Sequence, residues 1–352
     1  MVTAVTAPPL DMDAVRRQVQ DGYISVRQHP NADLFIWNYT KKAQFDGYWT
    51  PETTQCRGLI TDGADRIVQR CLKKFFNLEE HRDPLPVEPF EVYDKLDGSY
   101  AVLYWVGDTP SIASRGSFLS DQALWGTDIL HATYPHTFNG LDRSLSYIFE
   151  LLHPSNRIVV DYGDRKDLVL LATIHTATGA EIPLSEAWGF PLVTRYDGIR
   201  DLGELTARQD ANREGYVVRF ASGLRVKVKF DEYVRLHRLV TGVNERHIWE
   251  CLRDGDDVSD LMNGAPPAYQ RWVNTVATDL RQRYGAIQRE CLTAYAFLDV
   301  TGDRKSIAMQ IVRFTPTLQH VLFALLDGHA YNDIIWKALK PTHAAPFKAD
   351  DT

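Results

Sequence analysis

The chain has 352 residues, 44% of them hydrophobic and 24% charged, with a formal net charge of -7. This is ordinary globular material, long enough for one large and one smaller domain, and the negative balance excludes a protein that coats nucleic acid by bulk electrostatics. No run approaches the roughly eighteen apolar residues of a membrane span, and the N-terminus lacks a basic stretch followed by an apolar core, so the expected location is cytoplasmic and off the membrane. Cys56, Cys71, Cys251 and Cys291 show no paired spacing, so neither a zinc site nor a disulfide framework is indicated.

In chain order, residues 20 to 240 read as short strands separated by turn signals, with a few helical stretches between them. ISVRQH, LFIWNY, RGLITDG, YAVLYW, SYIFELL, RIVVDY, LVLLATI, GYVVRF and LRVKVKF are the clearest strands. Within EVYDKLDGSYAVLYW, apolar residues flank Asp97-Gly98, which predicts a hairpin with Lys95 at its lip. From about residue 241 the strand signals stop and helical periodicity takes over, through RWVNTVATDLRQRYGAIQRECLTAYAFLDV, PTLQHVLFALLDGH and AYNDIIWKALK. The expected organisation is therefore an α+β domain over 1–240 and an all-α domain over 241–352. The stretch from 243 onward holds 12 Lys+Arg against 14 Asp+Glu, so it is no generic polyanion clamp.

Several residues stand out for their chemistry. Period-two geometry puts Arg225, Lys227 and Lys229 on one face of a strand and Val226, Val228 and Phe230 on the other. The cationic face suits phosphate oxygens, and the alternative is an edge strand protected by lysines. If this strand pairs with GYVVRF so that Phe220 faces Leu224, Gly215 falls opposite Lys229 and Glu214 borders the lysines. Beside a phosphate, such a carboxylate can help hold Mg²⁺. Glu150 interrupts an apolar strand, an uncommon place for an unpaired carboxylate. Arg57, Lys74 and Arg115 add charge, and no G-x-x-x-x-G-K-[ST] loop is present, so any phosphates must be held by side chains.

The ordered blocks CRGLITD, KFFNLEE, KLDGS, SRGS, FELLHPSNRIVV, EGYVV and KVKFDEYVRLH, with GDRKSIAM near the C-terminus, resemble those of the phage-type RNA ligase 1 family, within the lysine-dependent nucleotidyltransferases. The resemblance covers nearly the whole chain. It implies an ATP-grasp-like nucleotidyltransferase domain of antiparallel sheets, followed by the helical domain. It further implies an ATP-dependent RNA ligase in which Lys95 becomes adenylylated, with Mg²⁺, or alternatively Mn²⁺, as the metal. A nucleophilic lysine has to be neutral, and Lys227, Lys229 and Arg57 gathered around it would favour that form.

By family pattern Lys227 and Lys229 would contact the α-phosphate, while Arg57 and Lys74 would reach phosphates of ATP or RNA. Glu150 would bind the ribose or a metal-bound water, Glu214 would hold the metal, and Gly98 and Gly215 would permit close backbone approach. Phe76 and Tyr233 match further functional positions, with core packing as the alternative. Arg115 stands where the family more often has lysine, and Trp37 occupies what looks like a tyrosine position near the nucleotide. The acidic run 254–260 resembles a metal-binding stretch with altered spacing, which would make Asp257 and Asp260 ligands, a solvated loop being the alternative.

The implied substrate is RNA, in this family tRNA broken in the anticodon loop and read by the C-terminal helices, with an end-healing kinase/phosphatase as partner. A DNA ligase or capping enzyme would more often append a β-barrel after the lysine strand. A non-catalytic RNA-binding relative would have lost Lys95, Glu214 or Lys227, and all three are present.

Overall fold

The computed structural model describes residues 10–81, 83–210, 212–342 and 347. The fold is α+β, and the chain parts into two compact units between Val234 and Arg235. That division lies six residues before the boundary expected at 240.

The first unit opens with α1 (Met12–Gln20), then β1 (Ile24–Gln28), β2 (Leu34–Tyr39), the short helices α2 (Lys41–Phe45) and α3 (Pro51–Gln55), β3 (Arg57–Asp62) and β4 (Ile67–Gln69). The four strands form one antiparallel sheet in sequence order. There follow β5 (Phe76–Asn77), β6 (Phe90–Lys95), β7 (Ser99–Val106), β8 (Thr109–Ser114), α4 (Asp121–Thr133), β9 (Leu145–Leu152), β10 (Asp167–His175), β11 (Glu181–Ile182), β12 (Arg195–Tyr196), α5 (Leu202–Ala207), β13 (Gly215–Phe220) and β14 (Arg225–Lys229). They make two five-stranded sheets, ordered β11-β10-β9-β7-β8 and β12-β6-β13-β14-β5.

The second sheet is sandwiched. One face packs on the first sheet through Ile36, Leu59, Val102 and Ile148, and the other packs under α4 through Leu103, Ile112, Leu130 and Phe149. Burial on both faces explains why its strands read as almost continuous apolar runs. Each neighbouring pair in the third sheet is antiparallel except β5 with β14, which is parallel.

Two expectations are corrected. The segment Asp97-Gly98 joins no hairpin: β6 pairs with β12 and β13, whereas β7 pairs with β8 and β9. The chain leaves one sheet at Lys95 and enters another at Ser99, which sets Lys95 at the lip of the crevice between them. RIVVDY is not a strand either. Its backbone turns inward, and the N–H groups of Val159 and Val160 both donate to Asp97 Oδ2 at 3.0 Å instead of to a ladder.

In the second unit the helices α7 (Glu245–Asp254), α8 (Pro267–Ala296), α9 (Arg304–Ile311), α10 (Pro316–Leu326) and α11 (Asn332–Ala338) follow α6 (Asp231–Gly242), which spans the division. Ile248, Trp249, Tyr269, Val273, Val321 and Ile335 form the core, and the Trp249 indole donates to the Trp336 carbonyl at 2.8 Å. All described strands lie before this unit, and no helix among the described residues is long and apolar enough to cross a membrane.

Candidate active site

Lys95 ends β6, where it faces Gly215, and Gly215 on its other side faces Lys229. Glu214, one residue earlier and only 3% exposed, reaches into this gap. Its Oε1 is 2.6 Å from Lys95 Nζ and 2.9 Å from Lys229 Nζ. Burial alone would push the carboxyl up, but the two ammonium groups overcome it and hold Glu214 below the ordinary carboxylate range. Gly215 makes the close approach possible: its φ is +141°, and a Cβ there would stand 2.0 Å from the Val228 carbonyl oxygen. The predicted register of β13 on β14, with Gly215 opposite Lys229, is what the structure has.

The other wall comes from β9. Glu150 Oε1 accepts the Gly98 N–H at 3.1 Å, its only hydrogen bond among the described residues. Burial pushes this carboxyl up to about 7; Lys95 opposes the shift and Glu214 adds to it. Gly98 is pressed so closely on β9 that a Cβ would meet the Leu151 carbonyl oxygen at 2.4 Å. Asp97, between them, is a buried knot. Its Oδ2 takes the Val159 and Val160 N–H groups, its Oδ1 accepts the Tyr233 hydroxyl at 2.7 Å, and its own N–H donates to the Tyr162 hydroxyl at 2.9 Å. The turn holding Lys95 is thereby tied to the 159–162 segment and to the first turns of α6.

A row of cations leads away from Lys95. Parallel pairing of β14 with β5 sets Val226 against Phe76 and Lys227 against Asn77, which brings the Lys74 to Phe76 segment alongside Lys227. Lys227 Nζ lies 4.9 Å from the centre of the Phe75 ring, and Lys74 Nζ lies 4.5 Å from that of Phe76. The Arg57 guanidinium stacks 4.1 Å from the Tyr100 ring, and Arg115 donates to the Tyr39 hydroxyl at 3.1 Å. Among the described residues none of these four cations has an ion-pair partner. Burial pushes Lys227 down to about 6, with Lys74, Arg57, Lys95 and Lys229 adding to it. Burial likewise pushes Lys74 down to about 8, Arg57 and Arg115 adding and Glu80 opposing. Partly buried cations without counter-charges are unfavourable by themselves and become favourable when a polyanion arrives.

The structure thus gathers Lys95, Glu150, Glu214, Lys227, Lys229, Arg57, Lys74, Phe76, Gly98, Arg115, Gly215 and Tyr233 around one crevice of the first unit. It does not gather three others. Trp37 is 6% exposed and sits in the core between the first two sheets, its indole donating to Thr61 Oγ1 at 3.0 Å. The tyrosine that meets Arg115 is Tyr39, two residues on, beyond a bulge in the pairing of β2 with β3. Asp257 and Asp260 belong to the helical unit, where both are exposed and Asp257 caps a single 3₁₀ turn by accepting the Ser259 N–H. No group of three or more metal-binding side chains occurs among the described residues. Arg225, expected on the cationic face, is taken up by Glu181 at 2.5 Å and points to a different neighbour from Lys227 and Lys229. Asp97 and Tyr39 were missed: the first reads as a turn residue, the second as one more aromatic in FIWNY.

A crevice of this kind, with a paired lysine, one buried and one half-buried carboxylate, and a row of cations without ion-pair partners among the described residues, is suited to holding the phosphates of a nucleotide. The RNA ligase family model matches residues 55–234, just over half of the chain, and the chain belongs to that family, in its phage-type branch. An RNA ligase of Rhodothermus phage RM378 is 24% identical over 84% of this chain and 85% of its own length. A putative RNA ligase of Thermovibrio ammonificans is 25% identical over 77% of this chain and 80% of its own. A putative bifunctional polynucleotide kinase/RNA ligase of Autographa californica nuclear polyhedrosis virus is 25% identical over 61% of this chain, which spans only 35% of that protein.

Proposed function

We propose that the chain is an ATP-dependent RNA ligase that joins a 3'-hydroxyl to a 5'-phosphate through two adenylylated intermediates. Lys95 Nζ, once it has given up its ammonium proton, attacks the α-phosphorus of ATP, a P–N bond forms and pyrophosphate leaves. An oxygen of the RNA 5'-phosphate then attacks the same phosphorus and frees Lys95. Finally the 3'-hydroxyl attacks the 5'-phosphorus and AMP leaves. The observation that carries this reading is Lys95 clamped by buried Glu214 at the head of four cations that have no ion-pair partner among the described residues.

Glu214 sets the amine in place, and Lys229 shares the same oxygen, so the carboxylate holds the two nitrogens at a fixed spacing. Lys227, Lys74 and Arg57 offset charge on the phosphates as it develops. Glu150 and Glu214 fit one divalent cation, since Mg²⁺ or Mn²⁺ takes one or two carboxylates and fills its shell with phosphate and water. The fit rests on Glu150, half-buried, whose carboxylate accepts a single backbone N–H. Such an ion supplies further charge neutralisation at the phosphates.

The substrate we assign is tRNA broken in its anticodon loop, in the cytoplasm, with a kinase/phosphatase healing the ends. A relative named as a bifunctional polynucleotide kinase/RNA ligase supports that pairing. The test is incubation with ATP labelled at the α-phosphate, for the native chain beside Lys95→Ala, followed by peptide mapping. Label on Lys95 in the native chain alone is expected. Label from GTP only, or none, would overturn the assignment. Nicked tRNA should then be sealed faster than an unstructured oligonucleotide with the same ends, and equal rates would remove the tRNA assignment.

A further inference from the structure

Next to the row of cations lies a segment that, apart from Tyr39, the chemistry above does not use, YTKKAQFDGYW, residues 39 to 49. It holds four aromatic residues and two lysines within eleven positions, and its only aliphatic residue, Ala43, is buried. Trp49 joins it to the site. The indole packs edgewise against Tyr39 at 5.1 Å and Phe76 at 5.5 Å, with Lys74 Nζ 5.3 Å from its ring centre. It is half-buried, and its N–H has no partner among the described residues. Farther out, Tyr48 stacks on Tyr23 with ring centres 4.0 Å apart, while Lys42 is held over Tyr23 and paired with Asp46. At the end of α2, Phe45 is 93% exposed, and Lys41 at its start is exposed without an ion pair among the described residues.

The two short helices α2 and α3, in and just after the segment, are capped. Thr40 caps α2 by accepting the Ala43 N–H and donates to the Gly22 carbonyl. Thr50 caps α3 in a reciprocal box with Thr53. Exposed Phe45 and Tyr48 and half-buried Trp49 among lysines, without exposed aliphatics, suit unpaired nucleobases and the backbone between them. A docking face for another protein would carry aliphatic anchors and fewer lysines.

We propose that residues 39–49 form the docking strip for the unpaired 5'-terminal nucleotides of the RNA whose phosphate is activated. This rests on the ligase reading. Pyrophosphate, on leaving, empties the cations between Lys227 and Arg115. The RNA 5'-phosphate has the same chemistry and enters along them, so the nucleotides behind it emerge over Trp49 and continue toward Phe45 and Lys41.

The experiment uses the full chain and a 3'-fluorescein single-stranded RNA bearing a 5'-phosphate, its 5'-hydroxyl counterpart and a blunt duplex. The variants are Lys41→Ala/Phe45→Ala and, separately, Trp49→Ala. In the double variant, Kd for the phosphorylated single strand should rise by about tenfold and the slope of log Kd against log salt should fall by roughly 0.7. Labelling of Lys95 by ATP should be unchanged in that variant, and the native chain should bind the duplex more weakly than the single strand. An unchanged Kd in both variants, or a duplex bound as tightly as the single strand, would overturn the strip. A native chain that never takes label on Lys95, yet loses RNA affinity in the variants, would overturn the ligase reading and leave the strip supported.

Discussion

Lys227 enters the crevice almost without its proton, so occupying the site with a polyphosphate must draw a proton from solution. With a value of about 6 in the free chain, near pH 8 it is protonated only about 1% of the time, and Lys74, at about 8, roughly half the time. Bound phosphate oxygens supply the missing counter-charge and return both groups to the ammonium form. The expected uptake is therefore about 1.5 protons per nucleotide, of which about 1 belongs to Lys227. The assay is calorimetry in buffers of different ionisation enthalpy, with an ATP analogue whose α–β bridge is methylene so that no adenylylation intervenes. The γ-phosphate contributes equally in every variant, so the difference between the native chain and Lys227→Met isolates Lys227. Affinity should weaken by about tenfold for each pH unit between roughly 6 and 8. Equal proton uptake by the native chain and Lys227→Met would refute the reasoning.

The same lysine makes a stability prediction. Its folded value lies below its unfolded one, so the native chain gains stability as pH rises from about 6 toward 10.5 and is at its minimum below 6. Lys227→Met should stabilise the free chain by about 2 kcal/mol more at about pH 6 than at about pH 8, read from thermal unfolding; a pH-independent difference would contradict this. Asp97→Asn removes an acceptor from the buried knot and should cost about 2 kcal/mol and most of the Lys95 labelling, checked by unfolding and gel; wild-type values for both would show that the knot is dispensable. Trp37→Phe should cost about 1 kcal/mol and leave nucleotide affinity alone, whereas Tyr39→Phe should weaken it severalfold, and the reverse pattern would restore Trp37 to the site. Gly98→Ala should abolish labelling, because the obstructing atom is backbone of β9 and cannot swing away; a fully active variant would argue against that contact.

The places where sequence and structure agree share a physical cause. Strict alternation in LRVKVKF and the three-residue connection Ala221–Gly223 set the register of β13 on β14 residue by residue, because a one-residue slip would turn Val226 and Val228 to the wrong face. Helical periodicity beyond residue 241 is local and equally legible. What was not legible depends on distant partners. The Asp97-Gly98 turn has hairpin chemistry whether or not its two strands pair, and their actual partners lie on β9 and β13. RIVVDY is rich in β-branched residues, yet its backbone donors are claimed by a carboxylate more than sixty residues earlier. Trp37 and Tyr39 look interchangeable until the bulge after Trp37 breaks the alternation of β2.

The knot at Asp97 also bears on how the chain comes off the ribosome. Tyr233, which closes it, lies 136 residues downstream, and Glu214 and Lys229 arrive little sooner. Contacts so far apart in sequence form late. A nascent chain that has already exposed Lys95 therefore carries only an ordinary solvated amine, without its clamp and without the strand that lines up the cations. On the reading proposed above, nucleotide chemistry would switch on only once translation has passed α6, so half-made copies would neither consume ATP nor hold on to RNA ends that they cannot seal.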